Sequence, residues 1–327
     1  MNLANYVNTF GQVMLARYGE RVHKIAIDAG FTCPNRDGSI GRGGCTFCNN
    51  VSFNPNGRQP RQLNRQIAEQ IESGRQVIRK RTGAKKYIAY FQAYTNTYAD
   101  VRELTRLYDE ALKEPDVIGL DVGTRPDCVP DEVLDLLADY QQQGYDVWLE
   151  LGLQSAHDAT LNHVNRGHGF AEYELATIKA RNRGIKVCTH LILGLPGESS
   201  RHHITSLERV LDLGVDGLKF HPLHVVKGTQ LANEWRRGEY QPLTLDQYVA
   251  DVVELIRRTP DEVIFHRLTG TASSKVLLAP QWCSTKWQVL NRITTTLAKQ
   301  SKRFATHEDQ NETPGLLTSE KLAFSAV

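Results

Sequence analysis

Apolar runs recur along the chain at residues 22–30, 87–93, 117–122, 147–153, 185–193 and 217–223, separated by amphipathic, charge-bearing stretches. Each run is short enough for a buried strand and each interval long enough for a helix. The helical segments read as 63–79, 99–113, 131–142, 170–183, 202–213 and 245–257. Strand alternating with helix predicts right-handed crossovers and a parallel sheet. With about six strands, the expected fold is α/β, a partial (β/α)6-type TIM barrel with a C-terminal extension. A further strand is expected at residues 262–266. Residues 1–21 read as an N-terminal helical extension, 22–225 as the barrel and 226–298 as an extension packing on it. From Lys299 the sequence loses its periodicity, and 299–327 is expected to be a disordered tail.

Alternation within the strands carries more information, because residues two apart share a face. In the fourth run Val147, Leu149, Leu151 and Leu153 share one face; Trp148, Glu150, Gly152 and Gln154 share the other. Polar faces recur with Asp28, Gln92, Asp121, His190, and Lys219 with His221. A packed barrel interior is normally filled by branched apolar side chains. Six strands turning polar groups inward predict a solvated, ligand-filled centre.

Composition bounds the partners. The chain has 327 residues and a net charge of +2, which excludes a wholesale polyanion binder and leaves room for a local basic patch. No stretch matches a membrane span, and the first ten residues lack the pattern of a signal peptide, so no membrane partner and a cytoplasmic location are expected. The basic patch lies between Arg58 and Lys86, with Arg58, Arg61, Arg65, Arg75, Arg79, Lys80, Arg81, Lys85 and Lys86 against Glu69 and Glu72. A charge run of this kind is a solvated helix face or a phosphate-binding surface.

The six cysteines are too few and too uneven for a disulfide scaffold. Cys33, Cys45 and Cys48, with eleven and then two residues between them, sit on the loop leaving the first strand, at the barrel mouth. Structural zinc takes four protein ligands, and this loop offers three thiols and no His. Three thiolates suit a four-iron cluster with one open iron; zinc and unliganded thiols are the alternatives. Cys128, at the end of the third strand, is a candidate reactive thiol or an inert small hydrophobe. Cys188 reads as core. His221 and His224 bracket Pro222 beyond the sixth strand, as substrate contacts or turn residues, and Arg125 either serves the mouth or ties its loop to Asp127.

Longer motifs sharpen the picture: CPNRDGSIGRGGCTFC from Cys33, FQAYTNT from Phe91, GTRPD from Gly123, ELGLQSAHDATL from Glu150, NRGH from Asn165 and HLILGLPGE from His190. In this order they resemble the radical S-adenosylmethionine (SAM) superfamily, in the branch related to the radical SAM part of the Elongator catalytic subunit, whose first cysteine gap is long. The similarity continues through HPLHVVKGT to LLAPQWC, as in bacterial proteins of this length that lack the acetyltransferase half. The resemblance implies a [4Fe-4S] cluster on Cys33, Cys45 and Cys48, with SAM on the fourth iron, cleaved by one electron to a 5′-deoxyadenosyl radical. It implies SAM contacts from Phe47, the segment Gln92, Ala93, Tyr94 and Thr95, Glu150, Arg166, and Ile192, Gly194 and Pro196 of the fifth-strand motif. Gly194 would let adenine approach the backbone. An electron donor such as flavodoxin or ferredoxin follows, and transfer RNA, through its wobble uridine, is the leading substrate. A small metabolite or peptide substrate, and a non-catalytic zinc-bearing barrel acting as a binding module, are the other readings.

Overall fold

A computed structural model describes residues 3–49 and 66–308, with residues 301–308 as backbone only. Six strands lie where the apolar runs predict them: β1 (Val22–Ile27), β2 (Lys86–Phe91), β3 (Val117–Thr124), β4 (Asp146–Gln154), β5 (Lys186–Leu193) and β6 (Gly217–Pro222). The short β7 (Val225–Val226) follows, then β8 (Ile264–Arg267) and β9 (Leu277–Ala279). β8 pairs parallel with β6, so the main sheet has seven strands in the order β1-β2-β3-β4-β5-β6-β8. The segment expected to pack on the barrel as an extension therefore supplies its last stave. β7 and β9 form a separate antiparallel pair.

Among the helices are α1 (Phe10–Tyr18), α2 (Pro34–Asp37), α3 (Ile67–Thr82), α4 (Val101–Leu112), α5 (Asp131–Gln142), α6 (Asp158–His163), α7 (Phe170–Arg181), α8 (Ser200–Leu211), α9 (Gln230–Arg236), α10 (Leu245–Arg258) and α11 (Lys286–Glu308). α11 carries the helix through Lys299, where the tail was expected to begin; residues 309–327 lie outside the described residues. Arg58, Arg61 and Arg65 of the basic segment also lie outside them.

The two-faced strands sort as their alternation demands. Val147, Leu149, Leu151 and Leu153 join Leu104, Tyr108, Leu134 and Leu137 of the surrounding helices in the main core. Each Leu side chain so buried contributes about 2 kcal/mol. α4 begins where Asp100 accepts a hydrogen bond from the Arg102 N–H at 2.9 Å, satisfying one of the amides left open at a helix start. α3 passes close to β1 at Gly74, where a Cβ would fall 2.6 Å from Ile25.

The floor of the barrel is a second, inward core of Phe10, Met14, Val22, Ile88, Trp148 and Cys188. Cys188 is core, as expected. α1 supplies Phe10, whose ring meets His266 at 4.5 Å between centroids and Trp148 edge-on at 6.1 Å. Asp146 anchors this end, accepting from Arg17 at 2.8 Å, Tyr18 at 2.9 Å and Lys186 at 2.9 Å.

Candidate functional site

The cysteine loop is fixed from both sides. Cys33 caps α2, its carbonyl accepting from the amides of Arg36 at 2.8 Å and Asp37 at 3.1 Å. Across the mouth, the turn after α6 clamps the loop: Asn165 donates to the Gly44 carbonyl at 2.8 Å, and the Thr46 amide donates to Val164 at 3.0 Å. Asn35 returns the contact, donating to the Asn165 carbonyl at 2.6 Å. On the other side the Leu231 amide, in α9, donates to the Thr46 carbonyl at 3.0 Å. Gly44 has φ +79°, and a Cβ there would meet the Arg36 side chain at 2.7 Å, so only glycine fits.

This arrangement sets Cys33, Cys45 and Cys48 on the wall of one cavity of about 1440 Å³. Phe47, Gln92, Tyr94, Thr95, Arg166 and Ile192 line it too. Among the described residues no Asp or Glu does. Tyr94 and Gln154, at the ends of β2 and β4, have φ of +63° and +82°, a conformation that costs non-glycine residues about 1–3 kcal/mol and concentrates at binding sites. Gln154 lines the cavity on the same strand face as Glu150. The alternation had placed Gln154 inward without marking it as a site residue.

Arg166 is buried, donating to the Gly152 carbonyl and pointing a second nitrogen at the Cys45 sulfur, 3.7 Å away. Its Nε is buried with no partner among the described residues, as is the Thr95 hydroxyl. Such unfilled polar groups at a cavity indicate a ligand with acceptors. Burial and then Cys45 raise the Cys48 thiol above its usual range, and the Arg36 guanidinium opposes them. A cationic centre bound between the thiols would favour their thiolate forms. Three thiols beside guanidinium groups, with no competing carboxylate, fit a [4Fe-4S] cluster with one open iron.

Several expected contacts lie elsewhere. Glu150 is fully buried beneath the cavity, with both oxygens taken. It accepts from Lys24 at 2.9 Å and from Lys219, and His190 Nε2 lies 2.9 Å away. Burial alone would raise its pKa, but the Lys219 and Lys24 ammonium groups overcome that and hold it well below the usual carboxylate range. Glu150 is thus the centre of a buried charge cluster, and it does not line the cavity where the SAM ammonium was expected to meet it. Asp121 pairs with Lys24 in the same cluster, its pKa pushed up to about 8 by burial and then by Glu150. The sets Glu150, Cys188, His190 and Asp121, Glu150, His266 bring metal-type ligands together. Lys24 and Lys219 already occupy the carboxyl groups of both sets.

Gly194 is also reassigned. Its φ is +90°, its carbonyl accepts from the Tyr240 hydroxyl at 2.8 Å, and a Cβ would meet Leu243 at 3.0 Å. The missing side chain makes room for Leu243 rather than for a base. Ala93, Gly194 and Pro196 do not line the cavity; Ile192 does. Phe47 and Ile192 pack on one apolar cluster with Leu195, Leu223 and Tyr240, which stiffens that wall. Arg125 lines the cavity and holds Asp127 with two bonds of 2.9 and 2.8 Å, so it ties the loop. Cys128 is buried and does not line the cavity, its thiol pushed up to about 12 by burial and then Asp127. His221 and His224 line the deeper wall, with His224 lowered to about 4, chiefly by burial.

A seven-stranded partial barrel with three cysteines after β1 defines a class, and comparison with known families agrees. The description "Radical SAM superfamily" matches residues 33–210, and "Radical_SAM C-terminal domain" matches 215–299. The chain belongs to the radical SAM superfamily and is a radical SAM enzyme, a membership that implies a [4Fe-4S] cluster and SAM. It is 52% identical over 287 residues to protein YhcC of Escherichia coli K12, covering 88% of this chain and 91% of that one. It is 32% identical over 145 residues to the tRNA uridine(34) acetyltransferase of Dehalococcoides mccartyi, covering 42% of this chain and 31% of the relative. Among solved structures, Elp3 of the archaeon Methanocaldococcus infernus, with an N-terminal deletion, superposes with a TM-score of 0.64 at 19% identity. That match covers 86% of this chain and 63% of the solved one, so the chain spans less than two thirds of it.

Proposed function

We propose that the protein holds a [4Fe-4S] cluster on Cys33, Cys45 and Cys48 and binds SAM against Phe47, Gln92, Tyr94, Thr95, Arg166 and Ile192. When bound and reduced, the cluster and SAM together supply a hydrogen-abstracting carbon radical. The substrate on this reading is transfer RNA, modified at its wobble uridine. The observation that carries it is the single acid-free cavity whose wall bears the three thiols and Arg166.

The chain's own residues divide the work. Arg166, with an unfilled Nε, meets the SAM carboxylate, because a guanidinium pairs well with that group. Phe47 and Ile192 offer the adenine an apolar face. The buried cluster around Glu150 keeps Lys219 at the inner wall, where it donates to the Tyr90 hydroxyl at 3.1 Å. The RNA assignment draws on the uridine-34 relatives and on the cationic wall. An electron donor such as flavodoxin or ferredoxin completes the system. The test is to incubate reduced, cluster-loaded protein with SAM and transfer RNA from a deletion strain, then analyse the nucleosides. A change at the wobble uridine is expected. Production of 5′-deoxyadenosine with every nucleoside unchanged would move the substrate to a small metabolite or peptide.

A further inference from the structure

The sheet does not close. β1 and β8 form its two edges, bridged among the described residues by the N-terminal segment, where the Phe265 amide donates to the Asn8 carbonyl at 2.8 Å and Thr9 bridges to Phe265, and on the inside by Lys24, whose Nζ lies 2.9 Å from His266 Nδ1. The cavity follows this seam. One end has the cysteine loop; the other is lined by Arg21 and His23 at the start of β1, Arg81 and Thr82 at the end of α3, and Lys286 at the start of α11. The two ends are separated by about the length of β1, roughly 20 Å for six residues.

α3 runs antiparallel to the strands, so its last turn, with Arg79, Lys80 and Arg81, lies at the end of the barrel opposite the cysteine loop. It reaches the mouth only through the seam.

Cations crowd the seam from that end up to Arg267, the last residue of β8, which is level with Lys219 of β6. Arg21, Arg81, Arg267 and Lys286 are exposed and form no ion pair among the described residues, although Arg21 also donates to the Thr82 carbonyl at 2.9 Å. Burial, then Arg21 and Arg81, lower the pKa of His23; burial, then Arg267 and Arg81, lower that of Lys286. Like charges held together without counter-ions form a site for a polyanion.

A second feature points the same way. Trp287 is 70% exposed, the most exposed of the large apolar side chains described, and follows Lys286 in the first turn of α11. It lines an adjoining cavity of about 690 Å³ with Ser273, Ser274, Ser284 and Thr285; Lys286 and Thr271 line both cavities. A flat, open indole beside an ammonium group and hydroxyls is the arrangement on which unpaired bases stack.

We propose that a single-stranded RNA segment lies along this seam, with phosphates on Arg21, Arg81, Arg267 and Lys286 and one base stacked on Trp287, so that a neighbouring base enters the cavity from the side. The inference rests on the RNA reading above and adds where the strand runs. Taking the target base out of its stack costs a few kcal/mol, which the stack on Trp287 and the phosphate contacts offset.

The test uses the full, cluster-loaded chain with a stem–loop RNA, titrated at several salt concentrations. Replacing Arg21, Arg81 and Lys286 together by Ala should flatten the salt slope by up to about two units, at slightly under one unit per single-strand phosphate. Trp287→Ala should weaken binding about fivefold or more, and Trp287→Phe should restore most of it. A control on the opposite wall, Lys179→Ala with Arg183→Ala, should leave affinity unchanged, and all variants should cleave SAM without RNA as the parent does. If the parent binds RNA while the triple variant and Trp287→Ala bind it equally well, the seam route is overturned and the RNA reading stands. If the parent binds no RNA at low salt, both fall.

Discussion

Glu150 sits on the inward face of β4 and gathers a buried charge cluster. Lys24, from a strand three places away, and Lys219 both converge on it. Replacing it by Ala would leave Lys219 without its carboxylate and Lys24 with Asp121 alone, so Glu150→Ala should lower unfolding free energy by about 3–5 kcal/mol in urea denaturation. A variant of unchanged stability with weakened SAM binding would restore the original role. The buried imidazoles set a pH response. His190 and His224 are each lowered to about 4 and His168 to about 3, chiefly by burial, and His221 and His266 are also held well below the usual imidazole range by burial. An unfolded His takes up its proton near 6.5, so this stabilisation is present above about pH 6.5 and is lost as pH falls towards about 4, by up to about 3 kcal/mol for a shift of this size. Asp121, raised to about 8, contributes stability that is lost as pH rises, yet one carboxyl is outnumbered by five imidazoles. Urea midpoints should therefore fall between pH 7 and pH 5, and His224→Gln should reduce the fall; a midpoint independent of pH contradicts the assignment.

At the scale of elements, the strands were readable because their period of two persists wherever one face meets helices and the other a cavity. β7 and β9 gave no such signal, being two and three residues long. α6 is a single short turn pattern, and α3 was legible as a basic helix but not in its direction relative to the mouth, which only the crossover settles. The contact between α3 and β1 yields a prediction in which two effects oppose. Gly74→Ala gains up to about 1 kcal/mol in helix propensity, but its Cβ would lie 2.6 Å from buried Ile25, and such overpacking costs about 1–3 kcal/mol. Packing should win, giving a net loss of stability. Ile25→Val in the same chain should recover part of it, and a double-mutant cycle with no coupling would show that the helix relaxes away instead.

For the whole molecule, the cysteine spacing and the motif order carried the resemblance to the superfamily, and the inward polar faces agreed with a ligand-filled barrel. An incomplete barrel and a strand near 262–266 were legible; that this strand joins the sheet beside β6 and that α1 lies across the gap was not, since both depend on long-range packing. No described helix is long and apolar enough to cross a membrane. The central claim is that three thiols at the barrel mouth hold a SAM-cleaving cluster. Its most direct test is iron, sulfide and 5′-deoxyadenosine analysis of anaerobically reconstituted protein beside Cys45→Ser. About four irons and four sulfides per chain, with SAM cleaved on reduction, are predicted for the parent, and loss of the cluster and of cleavage for the variant. Stoichiometric zinc without sulfide in the parent, or an intact cluster in Cys45→Ser, would contradict it.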